Sequence, residues 1–293
     1  MLLGVALLLA ALVAAGVRLP MTGLARAIGE KILCAAALAD GCGDQPRLIA
    51  AYGTEVGKLV RRHMPTIVFE AGSRAMPVDF RRCRETSCGD GPSEGLVHRT
   101  GARLPLTAFV HVVDCRTEEA ERSEEAGADC SPPRAGNLYI QFWTYYADSA
   151  TLRDLPVVGE RGYHHDDWES VQLRIGPDGR VDQRASSHHG YNYELSAANW
   201  GADAGLDPLR DLAESLGTRA ANGWGPETGL LLVSGGSHAG NAAGDHDRTR
   251  FVPGRRVHLI PLEEIAANDN SAFAVEPPWR KKAWRDPEAA GTD

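Results

Sequence analysis

From Trp168 to Ile175 the chain reads Trp-Glu-Ser-Val-Gln-Leu-Arg-Ile, an alternation that places Glu169, Val171, Leu173 and Ile175 on one face of a strand. Asp167, two positions before Glu169, belongs to the same side. A carboxylate on an apolar face needs a partner. Burying an unpaired charge costs on the order of several kcal/mol, so such groups are matched by a cation, a hydrogen-bond network or a bound metal. This stretch therefore dictates both a second apolar layer and a charge partner.

The residues just upstream make that partner more specific. Gly162 to Glu169 reads Gly-Tyr-His-His-Asp-Asp-Trp-Glu, with two imidazoles and three carboxylates in eight residues. In the preceding run, Leu138, Ile140, Phe142, Thr144 and Tyr146 share a face, and Asp148 continues that parity where the strand should end. Asp148, Asp167 and Glu169 are thus expected to converge above a common core, with His164 reaching them from the loop between the two strands. An oxygen-rich set with one imidazole suits a divalent cation, Ca²⁺ or Mg²⁺ first, with Mn²⁺ or Zn²⁺ as alternatives.

Short β-type runs recur from Pro65 onward: 66–70, 106–113, 138–146, 168–175, 229–233 and 256–260. They predict a mainly β chain with a β-sandwich, jelly-roll-like core. Pro177-Asp178-Gly179 is a hairpin turn signal whose glycine supplies positive φ. Two helices are expected ahead of the sandwich, one from Thr22 to about Leu38 and one led by Pro46, in which Leu48, Tyr52, Val56, Leu59 and Val60 recur at helical spacing. Asp207-Pro208 with Leu209, Leu212 and Leu216 predicts a helix inserted late in the β region. The expected organisation is residues 1–17 as leader, 18–64 helical, 65–275 the sandwich with the metal site, and 276–293 a tail, either strapped to the surface or mobile.

At 293 residues with 43% hydrophobic and 24% charged residues, the chain is long enough for a sizeable core. The net charge of -8 argues against nucleic acid as a partner. Residues 1–17 are uninterruptedly apolar and read as a signal-peptide core or a marginal transmembrane helix, and both readings put the rest of the chain outside the cytoplasm. Cys34, Cys42, Cys83, Cys88, Cys115 and Cys130 form an even set in three sequence-local pairs, which suits disulfides. The acidic stretch Glu118 to Asp129 is then a loop tied at its base by Cys115 and Cys130.

Two further segments carry histidine after β-type runs: Ser186-Ser187-His188-His189-Gly190-Tyr191 and Ser234-Gly235-Gly236-Ser237-His238-Ala239-Gly240. They mark the rim of a polar cleft. If the cation activated a water, His188, His189 or His238 would be the candidates for proton transfer.

These same segments resemble the necrosis- and ethylene-inducing-like protein family and its vacuolar-sorting relatives. The resemblance rests on Gly162 to Glu169, on Phe142-Trp143-Thr144-Tyr145-Tyr146-Ala147-Asp148 before it, and on the His188-His189 segment after it. The Gly-Ser-His-Ala run ending at Ala239 is similar to a motif of the vacuolar-sorting relatives. Members carry a Gly-His-Arg-His-Asp-Trp-Glu heptapeptide on a β-sandwich and hold a divalent cation beside it. Carried across on Asp-Trp-Glu, the resemblance implies His164, Asp167 and Glu169 as ligands, with Asp148 upstream. Tyr163 stands where the heptapeptide begins with Gly, His165 replaces its Arg, and Asp166 replaces its second His. The match covers the middle of the chain, about 138–191 and again near His238.

The function expected from these features is an exported or membrane-anchored module whose cation binds a glycan or a lipid head group at the cell envelope. A metal-dependent hydrolase is one alternative and a structural envelope protein another. No Gly-x-Ser-x-Gly elbow, His-Glu-x-x-His helix or phosphate-binding glycine loop occurs to support catalysis.

Overall fold

The computed structural model describes residues 44–70, 73, 75–86, 104–116, 119–150, 163–187, 190–193, 223–244, 248–268 and 271–290. The leader at 1–17, the helices expected at 22–38 and after Asp207, and Cys34, Cys42, Cys88, His188 and His189 lie outside them. All six anticipated β runs become strands, and five more join them among the described residues. Chain order is α1 (Gln45–His63), β1 (Thr66–Glu70), α2 (Phe80–Thr86), β2 (Thr107–Asp114), α3 (Ala120–Glu125), β3 (Leu138–Ala150), β4 (Tyr163–Ile175), β5 (Val181–Ser187) and β6 (Gly190–Asn192). Then follow β7 (Gly225–Pro226), β8 (Leu230–Val233), β9 (Gly240–Asn241), β10 (Arg248–Val252), β11 (His258–Pro261), α4 (Glu263–Asn268) and α5 (Lys282–Arg285).

The strands form two mixed sheets. The smaller runs β10-β1-β8-β9 and the larger β11-β2-β3-β4-β5-β6, with β7 also on β5. Period-two alternation sorts their side chains between two cores. Ile67, Phe69, Leu231, Val233 and Val252 of the small sheet meet Val110, Ile140, Phe142, Val171 and Leu173 of the large one, and α1 adds Leu48, Val56 and Val60. This is the sandwich layer. The opposite face of the large sheet is also apolar: Phe109, Trp143, Tyr145 and Trp168 pack with Phe80, Ala283, Phe273 and Trp279. Burial on both faces is why β3 reads as a nearly continuous apolar run as well as an alternating one.

The second face is closed by the C-terminal segment. The carbonyls of Ala283 and Pro287 accept hydrogen bonds from Gln141 Nε2 at 2.6 Å and Arg184 Nη2 at 2.7 Å. Glu288 accepts from Tyr139 Oη at 2.8 Å, Arg174 Nη1 at 3.0 Å and Trp224 Nε1 at 2.8 Å. Trp284 stacks on His111 with ring centroids 3.5 Å apart. Arg184 is wholly buried, its guanidinium 3.6 Å over the Tyr191 ring, and burial lowers its pKa to about 10.

The turn at Pro177-Asp178-Gly179 joins β4 to β5 with Gly179 at φ +79°, the conformation that needs glycine there. Cys115 and Cys130 are disulfide-bonded across α3, so the acidic loop contains a short helix on its tether. Cys83 is disulfide-bonded as well. Among the described residues no helix is long and apolar enough to cross a membrane.

Candidate metal centre

β3 and β4 pair antiparallel with Thr144 opposite Glu169, Tyr146 opposite Asp167 and Asp148 opposite His165. Residues opposite each other share a face, so Glu169, Asp167, Tyr146, Thr144 and Asp148 belong to the side that carries Phe142, Val171 and Leu173 into the sandwich layer. The apolar seam ends at a mouth of acids. Asp148 and Asp167 are both buried there, 3% and 7% exposed, and Glu169 is half-buried.

His164 arrives differently from expectation. It is a residue of β4, opposite Ser149, instead of a loop residue. Pairing with β3 continues in the same register past Asp167 as far as Tyr163, although Asp166 takes φ +58° and the ladder omits the Ala147–Asp166 rung. A left-handed residue interrupts the pleat, so parity counted back from Asp167 no longer assigns His165 and His164 to faces. Asp166 is held in this strained state by its carboxylate, which accepts from Tyr145 Oη at 2.7 Å and from the Ala274 amide at 2.8 Å. His165 is exposed and His164 half-buried. Nδ1 of His164 lies 3.2 Å from the carbonyls of His165 and Asp166. A carbonyl only accepts, so Nδ1 carries the proton and Nε2 is left as the nitrogen able to bind a cation.

The loop Ser234 to Ala239, between β8 and β9 of the small sheet, crosses over the mouth. Its His238, also at positive φ, is 1% exposed; Nδ1 sits 2.7 Å from Asp167 Oδ2 and the ring stacks on Tyr146 at 3.9 Å. Ser149 Oγ reaches the Gly236 carbonyl at 3.4 Å and the Gly235 amide reaches Glu70 Oε2 at 2.5 Å, fixing the same loop from both sheets. Glu169 is oriented from β5: Ser186 Oγ donates to Glu169 Oε2 and accepts from the Ser170 amide at 2.5 Å. His238 and Ser186 belong to the two histidine-bearing segments singled out in the sequence. What the sequence did not point to is Lys281 of the C-terminal segment, whose charge acts on Asp167. That segment has no periodicity from which to place it.

The electrostatics match a site built for a positive charge. Burial pushes the Asp167 carboxyl up to about 7; nearby Asp148 adds to the rise, while His164 and Lys281 oppose it. The Tyr146 hydroxyl is pushed well up, first by burial and further by Asp167 and Glu169. The donor chemistry therefore fits a hard divalent ion, with His238 and Ser186 orienting the carboxylates as outer partners do. The spacing is looser than the chemistry. Among the described residues no three His, Cys, Asp or Glu side chains close to metal-holding distance as they stand.

No protein-family model matches the chain, and no curated protein does. A solved structure described as "Toxin fold for microbial attack and plant defense" is similar with a TM-score of 0.36 and 15% identity, over 75% of this chain and 82% of that one.

Proposed function

We propose that this protein is an exported binding module that takes up one divalent cation through Asp148, His164, Asp167 and Glu169 and uses it to hold an oxygen-rich ligand. The observation that carries the proposal is the β3–β4 register, which puts three carboxylates at one end of an apolar seam. Two of them are buried, and a divalent cation among them would add to the positive charge that His164 and Lys281 already bring to Asp167. To hold the ion these four side chains would have to come closer than they stand. When bound, the cation supplies positive charge to the hydroxyl or phosphate oxygens of a glycan or lipid head group. The described disulfides favour an oxidising compartment outside the cytoplasm.

Binding is favoured over turnover by the setting of His238. A proton-transfer group exchanges with substrate and water, whereas this ring is 1% exposed and engaged with Asp167 and Tyr146. Its chemistry here is to aim a carboxylate. The test is metal analysis of the purified protein beside melting curves with and without chelator, for wild type and Glu169→Gln. One equivalent of cation and a chelator-sensitive melt, both lost in the variant, are expected; identical metal content and melting would sink the proposal. Metal-dependent turnover in an esterase and phosphatase screen would favour the hydrolase instead.

A further inference from the structure

β10 is an edge strand of the small sheet, and it carries Phe251, which at 55% exposure is the one large hydrophobic side chain left outside among the described residues. Between Asp247 and Glu263 the chain around it is basic. From Arg248 to Leu262 the sequence holds four arginines and no Asp or Glu, in a protein whose net charge is -8. Arg250, Arg255 and Arg256 are exposed, as are Lys58 and Arg62 at the end of α1.

The two elements are locked together. Arg61 Nη1 donates to the carbonyls of Gly254 at 3.2 Å and Val257 at 3.1 Å, and its Nη2 pairs with Asp44 at 2.5 Å. A Cβ at Gly254 would lie 2.0 Å from the Met64 carbonyl oxygen, so the turn after β10 rests directly on the end of α1. Arg62 and Arg256 therefore sit on two elements held together, with Arg250 and Phe251 on the adjoining edge strand, where consecutive side chains leave from opposite faces. Charges held in fixed positions bind with less ordering cost than charges on a mobile tail.

We infer that this region docks the protein on an anionic phospholipid bilayer, with Phe251 entering the interface and Arg62, Arg250 and Arg256 pairing with head-group phosphates. An aromatic ring among basic residues suits the boundary between hydrocarbon and charged head groups. A soluble polyanion would use the arginines and leave the ring in water. This contact lies apart from the acidic mouth and stands without the cation.

The test is co-sedimentation of the full chain with vesicles of phosphatidylcholine alone or with about one-third phosphatidylserine, in chelator, so that the acidic mouth plays no part. Phosphatidylserine-dependent binding is expected, weakening as salt is raised. Each arginine near the surface contributes about fivefold, so Arg250→Gln with Arg256→Gln should lower the partition by roughly 25-fold. Phe251→Ser should lower it several-fold at unchanged melting temperature, and Glu169→Gln should bind as wild type does. No phosphatidylserine-dependent binding in chelator overturns the inference, as does binding that Phe251→Ser leaves intact while heparin competes it away. Loss of metal uptake in Glu169→Gln with vesicle binding intact separates this inference from the metal-site proposal.

Discussion

His238 Nδ1 lies 2.7 Å from Asp167 Oδ2, joining the two sheets across the mouth of the sandwich through residues 71 positions apart. The ring is also clamped flat on Tyr146. An outer partner that fixes a carboxylate's orientation typically changes metal affinity by about 10–100-fold when removed. His238→Asn keeps a side chain that tolerates positive φ but gives up the stacking and alters the bond to Asp167. The expected outcome is a loss of about 10-fold or more in cation affinity by titration calorimetry, with stoichiometry unchanged.

Asp167 makes the sign of the pH dependence testable. Its folded-state pKa, raised to about 7, lies above its ordinary value of 3.8, so the folded protein holds this proton more tightly than the unfolded chain does. The stability tied to the proton is fully present below about pH 4 and is lost as pH rises through 7. The full span is worth a few kcal/mol, on the order of 1.4 kcal/mol per pH unit. Urea melts in chelator should show this contribution falling between pH 4 and 7. A saturating divalent cation should remove most of the fall, because the ion replaces the proton. A chelated protein whose stability rises steadily across that range would contradict the assignment.

The Cys115–Cys130 bond closes a loop of 15 residues around α3. In the chain-entropy account a loop of that size contributes about 3 kcal/mol. Replacing both cysteines by alanine should lower the urea midpoint accordingly without changing cation affinity, since α3 lies beside β2 and away from the mouth. Equal stability of the two forms would show that the tether adds nothing.

Legibility from sequence followed periodicity. The parity of Asp148, Asp167 and Glu169 could be counted because β3 and β4 alternate without slip from Leu138 to Tyr146 and back from Ile175 to Asp167. Parity fails at Asp166, where a left-handed residue interrupts the pleat, and nothing in the sequence shows that pairing resumes beyond it to include His164. β5 is signalled by the hairpin turn before it and not by its own pattern, for another reason. Val-Asp-Gln-Arg-Ala-Ser-Ser is polar on both faces, and it is a buried strand because Arg184 finds Gln172 and the Pro287 carbonyl while Gln183 finds the Leu230 carbonyl. Such partners, up to 103 residues away, leave no local pattern.

Glu288 concentrates this long-range pairing at one carboxylate. Tyr139, Arg174 and Trp224 all donate to it, and it is 8% exposed. Removing the carboxylate leaves the Tyr139 hydroxyl and the Trp224 indole N–H without their acceptor under the strap, and Arg174 with Asp182 alone of its two carboxylates. Breaking a buried ion pair from one side costs about 3–5 kcal/mol because the remaining polar groups stay desolvated. Glu288→Ala should therefore lower unfolding stability by about that amount and raise amide exchange along residues 277–290. Glu288→Gln keeps acceptors for the hydroxyl and the indole and should cost less. If both variants exchange and melt as wild type does, the strap is held by Trp284, Ala283 and Pro287 without help from Glu288.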